Sequence, residues 1–250
     1  MSKIDELIAL AKAEEGYLEK ASNSQLEGKT ANAGKRNYTK YGKEMGCNGN
    51  AWCDAFVDWC FVMLFGRELA RQILFGFSNY TPTSSTYYKC NNHWTSIPKV
   101  GFQIFFRNDE RICHTGIVYK VTSTKVYTIE GNTSSASGVV ANGGCVRLKS
   151  YSRSYSKIAG YGIPQYELAE SGYNPFSVPT YSLKKSRKAF LKKEYVMWLQ
   201  YQLNKLGYGL EIDGSFGPAT DKALRAAQAK LGLEVDGSCG AATRAELKKL

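Results

Sequence analysis

No stretch of this chain is apolar for long enough to cross a bilayer. The longest strongly apolar run is Phe61 to Phe65, whereas a spanning helix needs about 20 residues. A secretory signal pattern is lacking as well. Ile4, Leu7, Ile8 and Ala11 recur at helical spacing among Asp5, Glu6, Glu14 and Glu15. That is an amphipathic helix, not a basic start followed by an unbroken apolar core. The expectation is a protein made in the cytosol, without conventional export or membrane insertion. The cysteines lack a paired framework: there are seven, irregularly spaced, so free thiols are expected. Cys47, Cys53, Cys60, Cys113 and the two histidines, His93 and His114, do not show the short paired spacings of structural zinc sites. No acidic loop of the EF-hand kind is present, and no metal or other cofactor is called for. Acidic residues are the minority, 22 against 33 Lys and Arg, for a net charge of +11. Such an excess suits an anionic partner. No nucleic-acid recognition motif accompanies it, which argues against DNA or RNA.

What is present centres on Asn50-Ala51-Trp52-Cys53-Asp54-Ala55-Phe56-Val57-Asp58-Trp59-Cys60. Phe56, Val57, Cys60, Phe61 and Leu64 form one apolar stripe at helical spacing. Asn50 is a cap candidate and Asp54 suits a first turn. Cys53 then falls in the first turn. There the helix dipole favours a thiolate, and unpaired backbone N–H groups face outward. Cys53 is therefore a candidate nucleophile, set against the commoner role of a cysteine as core packing. Cys60 lies mid-stripe, where burial raises a thiol pKa.

Residues 21–49 read as a polar loop, with Tyr38 and Tyr41 as possible cleft edges. Ser78 to Trp94 reads as a second polar loop rich in aromatics, of the kind that lines ligand grooves. Tyr87 and Trp94 in it, with Trp52 beside Cys53, are the candidate substrate-binding residues. His93 reads as a surface residue. Strand signals then follow. Phe102 to Phe106, Thr115 to Val121, Lys125 to Ile129, Gly144 to Leu148 and Ala159 to Ile163 predict a small antiparallel sheet. Helices first and strands after is an α+β order. The hairpin around Ser123-Thr124 has two registers, with paired residue numbers summing to 247 or to 246. In the second, His114 lies opposite Asn132, and His114, Glu130 and Asn132 share one sheet face.

Residues 166–190, with Pro175, Pro179, several serines and the basic run Lys184, Lys185, Arg187, Lys188, read as a linker. Residues 191–250 carry an internal repeat. Asp213-Gly214-Ser215-Phe216-Gly217 with Thr220 recurs as Asp236-Gly237-Ser238-Cys239-Gly240 with Thr243. Each unit is a helix closed by Gly, an Asp-Gly turn and a Thr near the next helix start. Three short helices are predicted, starting near Glu194, Pro218 and Ala241. With no His and one Cys, this segment reads as a binding module.

A thiolate, an imidazole and a polar group that orients the imidazole make a cysteine-hydrolase set. The candidates are Cys53, His114, and Asn132 or Glu130. The segments Trp52-Cys53-Asp54-Ala55-Phe56-Val57, His114-Thr115-Gly116-Ile117-Val118 and Ile129-Glu130-Gly131-Asn132-Thr133 resemble those of the CHAP family, the cysteine, histidine-dependent amidohydrolases/peptidases. The resemblance covers roughly residues 1–165 and implies a papain-like α+β fold, helices packed on an antiparallel sheet. It also implies catalytic roles for Cys53, His114, Glu130 and Asn132. The family often has Gly before the His, where this chain has Cys113, and Gly-Asp before the preceding strand, where it has Gly101-Phe102. The C-terminal repeat, with Leu199-Gln200, looks like the small three-helix peptidoglycan-binding domain over residues 191–250. By that resemblance Asp213, Gly214, Phe216 and Asp236 are the candidate wall-binding residues. Together the segments look like a phage or prophage endolysin. Its implied substrate is an amide bond of peptidoglycan, in the stem peptide or cross-bridge or between muramic acid and L-alanine, with a Gram-positive wall as partner. It would be held in the host cytoplasm until phage-mediated release. A bacterial autolysin or toxin of the same chemistry, or a non-catalytic wall-binding protein, are the alternatives.

Overall fold

The computed structural model describes residues 2–140, 142–170, 172–185 and 191–250. The chain divides into two units, Met1–Glu170 and Ser171–Leu250. In the first, five helices precede the main strands: α1 Lys3–Ala13, α2 Lys40–Glu44, α3 Cys53–Phe65, α4 Arg67–Ile73 and α5 Thr81–Cys90. The strands are β1 Trp94–Thr95, β2 Gln103–Arg107, β3 Ile112–Val121, β4 Lys125–Thr133, β5 Cys145–Ser152 and β6 Ile158–Gly162, followed by α6 Glu167–Glu170. They form one antiparallel sheet in the order β1-β6-β2-β3-β4-β5. This is the α+β order that the sequence predicts.

α1 starts at a capping box, in which Ser2 Oγ accepts from Asp5 N and the Asp5 carboxylate accepts from Ser2 N. Its Leu7 and Ala11 are fully buried. The helix at the centre of the unit is α3. Its residues are buried without interruption from Cys53 to Val62, Asp54 and Asp58 included. The single apolar stripe read from the sequence is thus too narrow. α1, α2, α4 and the sheet cover α3 on several sides, so its polar residues have no face left toward water. Tyr41 is fully buried rather than a cleft edge: it stacks on Trp52, and its hydroxyl donates to Glu14 at 2.6 Å.

Strand alternation gives the sheet two cores. Phe105, Ile117, Ile129 and Val146 face α3, while Ile104, Phe106, Val118, Val126, Tyr151 and Tyr161 pack together on the opposite face. The β3–β4 hairpin uses both registers. Val121 pairs with Val126 and Lys120 with Tyr127, summing to 247; Val118 pairs with Thr128 and Ile117 with Ile129, summing to 246. A bulge at Tyr119 makes the change.

Ser78 to Trp94 is not a loop. α5 occupies most of it, with Pro82 in the first turn, where a missing N–H costs nothing. Ser84 and Tyr88 are its buried contacts. His93 is half-buried, with its ring against Phe75 and Nδ1 2.9 Å from the Ile163 carbonyl.

The second unit holds β7 Leu183–Lys184, α7 Lys193–Lys205, α8 Pro218–Lys230, β8 Ser238–Cys239 and α9 Ala241–Leu247. Its three helices match the predicted starts. Part of the segment read as linker belongs to this unit's fold. β7 pairs with β8, Leu183 is fully buried, and Asn174 donates to the Trp198 carbonyl and to Gln202. So few helices leave an open core, which Leu183 and Phe176 help to close. Arg187 and Lys188 of the basic run lie outside the described residues.

The repeat folds as two copies of one clamp. Gln200 Nε2 donates to Asp213 Oδ1 at 2.7 Å while its Oε1 accepts from Gly214 N at 2.9 Å. Gln228 does the same with Asp236 at 2.8 Å and Gly237 at 3.0 Å. Asp213 and Asp236 also accept from the N–H of Ser215 and Ser238, and Phe216 packs against the core. Asp213, Gly214, Phe216 and Asp236 are therefore committed to building the turns, a structural use that the wall-binding assignment did not anticipate. Gln228→Ala is expected to strand the Asp236 and Gly237 partners and lower the unit's stability by about 2–3 kcal/mol. Hydrogen exchange of α8 amides in the full chain checks this; unchanged protection would show the clamp to be dispensable.

Candidate active site

Cys53 is the first residue of α3. Trp52, not Asn50, is the N-cap, and no side chain caps this helix start. First-turn N–H groups therefore lack the usual capping acceptor. Cys53 is 5% exposed and lines one wall of a groove of about 490 Å³. The sequence reading expected the helix end to lower its pKa. The structure reverses that: burial pushes the thiol up, and the neighbouring Asp54 carboxylate adds to the effect. The backbone amides of Asp54 and Thr115 oppose the rise without overcoming it. Burial outweighs the dipole because the thiol is almost cut off from water.

Asp54 is itself buried, accepting from Ser84 Oγ at 2.9 Å and lying 3.4 Å from Gln103 Nε2. Burial lifts its pKa to about 7. Gln103 continues the network to Thr115 Oγ1 and Tyr88. Asp54→Asn is expected to move Cys53 alkylation by iodoacetamide to lower pH, because a charge that disfavours the thiolate is gone. Peptide mass spectrometry resolves Cys53 from the other thiols, and an unmoved profile would refute the coupling. Asp54 is raised above its unfolded value of about 3.9. The stability it contributes is therefore complete below about pH 4 and lost as pH rises toward about 7. The variant should lack that loss.

His114 lies on β3, fully buried, on the sheet face shared with Phe106, Val118 and Tyr151. Its Nε2 is 3.0 Å from Glu130 Oε2. Glu130 is equally buried and also accepts from Tyr151 OH at 3.2 Å and from Thr128 Oγ1 at 2.5 Å. With hydroxyls donating to both of its oxygens, the carboxylate acts as an acceptor toward the imidazole. Nε2 then carries the proton and Nδ1 is left with a lone pair. His114 Nδ1 is buried and has no hydrogen-bond partner among the described residues. Gly116 makes room for this pair, since a Cβ there would come within 2.7 Å of Glu130 Cγ.

The structure thus joins His114 to Glu130 and brings Cys53 beside the Thr115 amide, one residue along β3. It shows no closed thiol–imidazole hydrogen bond. Of the two orienters left open by the sequence, Glu130 bonds the ring. Asn132, at φ 55 in the bulge after Glu130, accepts from Gly144 N at 3.3 Å and so holds the β4–β5 turn.

Of the aromatic segment that the sequence singles out, Tyr80 lines the groove, but the three candidate substrate-binding residues do not. Trp52 is fully buried, with Nε1 donating to Glu19 at 3.2 Å. Trp94 packs on Phe105 and Gly160, and Tyr87 on Gly76. Tyr80, Arg107, Arg111, Tyr155 and Lys157 line it instead, with Cys113. Tyr151 and Tyr155 come from a part of the chain where no local pattern points to a site. Cys60 and Cys47 are buried with raised pKa values. All seven cysteines are free.

A buried helix that starts on a thiol, packed on an antiparallel sheet bearing a histidine–carboxylate pair, defines the papain-like α+β class. Residues 45–132 match the CHAP domain family, and residues 192–247 match the peptidoglycan binding domain family. The chain therefore carries an N-terminal CHAP domain and a C-terminal peptidoglycan-binding domain, the make-up of a wall-binding peptidoglycan hydrolase of the amidase/peptidase kind. No curated protein and no solved structure matches it. Among the described residues no helix is long and apolar enough to cross a membrane.

Proposed function

We propose that the protein is an endolysin-type hydrolase that cuts a peptidoglycan amide bond with Cys53 as nucleophile, His114 as base and Glu130 as the orienting carboxylate. The observation that carries this reading is the His114–Glu130 pair, whose remaining ring nitrogen is buried and, among the described residues, unpartnered, on the strand that Cys53 abuts. Because burial keeps the thiol neutral, activation is by proton transfer to His114 Nδ1 as substrate seats, rather than by a standing thiolate. The sulfur attacks the amide carbonyl. The Cys53 N–H, at a helix start without a side-chain cap, receives the oxyanion, a contribution of roughly 3 kcal/mol per donor. The imidazolium then protonates the leaving amine, and water, deprotonated by His114, cleaves the thioester. Glu130 stabilises the imidazolium and is itself held by Thr128 and Tyr151. Asn132 serves by fixing the β4–β5 turn. The C-terminal unit anchors the enzyme, and the net charge of +11 suits the anionic polymers of a Gram-positive wall.

Mass spectrometry of purified sacculi digested by the full chain tests this directly. A new L-alanine amino terminus together with peptide-free lactyl-muramic acid identifies an amidase, and new amino termini elsewhere in the stem or cross-bridge, with muramic acid still substituted, identify an endopeptidase. Sacculi left without either product would end the hydrolase reading.

A further inference from the structure

The groove beside Cys53 is cationic, and among the described residues no acidic side chain lines it. Of its three basic side chains, Lys157 is neutralised by Asp109 at 2.6 Å. Arg107 and Arg111 have no carboxylate within ion-pair distance among the described residues, unlike Arg67, Arg71 and Arg225, which rest on Glu44, Glu68 and Asp221. Both are held at the groove by neutral partners. Arg107 ends β2 where a bulge against β3 re-aims the strand, and its Nε donates to the Ser156 carbonyl at 3.3 Å. Arg111 lies with its guanidinium carbon 5.1 Å from the centroid of Tyr80, itself a lining residue. Asn108 Oδ1 accepts from the N–H of Glu110 and Arg111, which fixes the loop that presents Arg111.

Two positioned guanidiniums, neither in a salt bridge among the described residues and Arg107 feeling the Asp109 carboxylate only at longer range, in the groove that holds a nucleophile, match the planar, bidentate demand of a carboxylate. We propose that Arg107 and Arg111 form a carboxylate subsite, so that the preferred substrate is a stem peptide with a free carboxylate near the scissile amide. This rests on the hydrolase reading above and narrows its substrate. A stem peptide with lysine as its third residue, the form used below, offers two such groups, the α-carboxyl of D-glutamate when not amidated and the carboxyl of the terminal D-alanine.

The test uses the full chain and a synthetic cross-linked muropeptide dimer containing every amide bond of the wall. The dimer is made in three forms: all carboxyls free, D-glutamate amidated, and C-terminus amidated. Amidation at one position is expected to lower wild-type kcat/KM by about 10- to 100-fold, and that position identifies the carboxylate. In R107Q/R111Q the ratio between forms should fall to about one, with the loss in KM. R153Q, whose arginine sits at the β3–β4 tip on the carbonyls of Thr122 and Ser123, should retain the wild-type ratio. Equal wild-type rates on all three forms, or a ratio preserved in R107Q/R111Q, would overturn the subsite. Sacculus digestion is scored separately, and its absence would overturn the hydrolase reading itself.

Discussion

Replacing Cys53 by alanine is expected to reduce wall hydrolysis by about four orders of magnitude or more, with the fold retained. The size of the effect follows from the absence of a substitute. Cys60 is fully buried in the core, and Cys47 has its pKa pushed up to about 11. Cys113 lines the same groove, but burial raises its thiol as well, and it lies on a strand rather than at a helix start with free N–H groups. Structure survives because alanine suits a first helical turn and removes only one sulfur. The result is read as product release from sacculi, with wall pelleting and the thermal midpoint as controls. Lysis within tenfold of wild type would move the nucleophile elsewhere.

Glu130→Gln is expected to cost about 10²- to 10⁴-fold in kcat. Glutamine keeps the shape but turns one acceptor into a donor in a site where three donors converge: His114 Nε2, Tyr151 OH and Thr128 Oγ1. One of them must lose its bond, and the imidazolium loses its counter-charge. A half-satisfied buried network also costs about 1–3 kcal/mol of stability. The kinetic loss should appear in kcat rather than KM, on soluble wall fragments with folding checked by calorimetry. A kcat within threefold of wild type would remove Glu130 from the mechanism.

Much of the frame was readable in advance because it depends on local periodicity. The thiol at a helix start, the strands flanking Ser123-Thr124 and the repeated Asp-Gly turns are patterns within short windows. What was not readable depends on partners far along the chain. Asp54 and Asp58 look like surface charges until α3 is seen to be enclosed, and that enclosure inverted the expected shift of the thiol. Tyr151 reaches Glu130 from β5, which no spacing announces. α5 looks like a loop in the sequence because Thr, Ser and Tyr are weak helix formers; Pro82 in its first turn is the one start signal. Gln200 stands out beside Leu199 in the sequence, but its counterpart Gln228 does not, because the two glutamines are 28 residues apart while their turns are offset by 23, so no single repeat length aligns both.

The bulge at Tyr119 has a consequence for how this hairpin tolerates change. Were the tip register continued unbroken, Glu130 would stand opposite Ile117, and the parity of the strand would put its carboxylate on the reverse side from His114. One supernumerary residue corrects the count. The imidazole and its carboxylate thus meet because of a tyrosine that belongs to neither, and deletion of that single position would disarm the site without altering any residue in it.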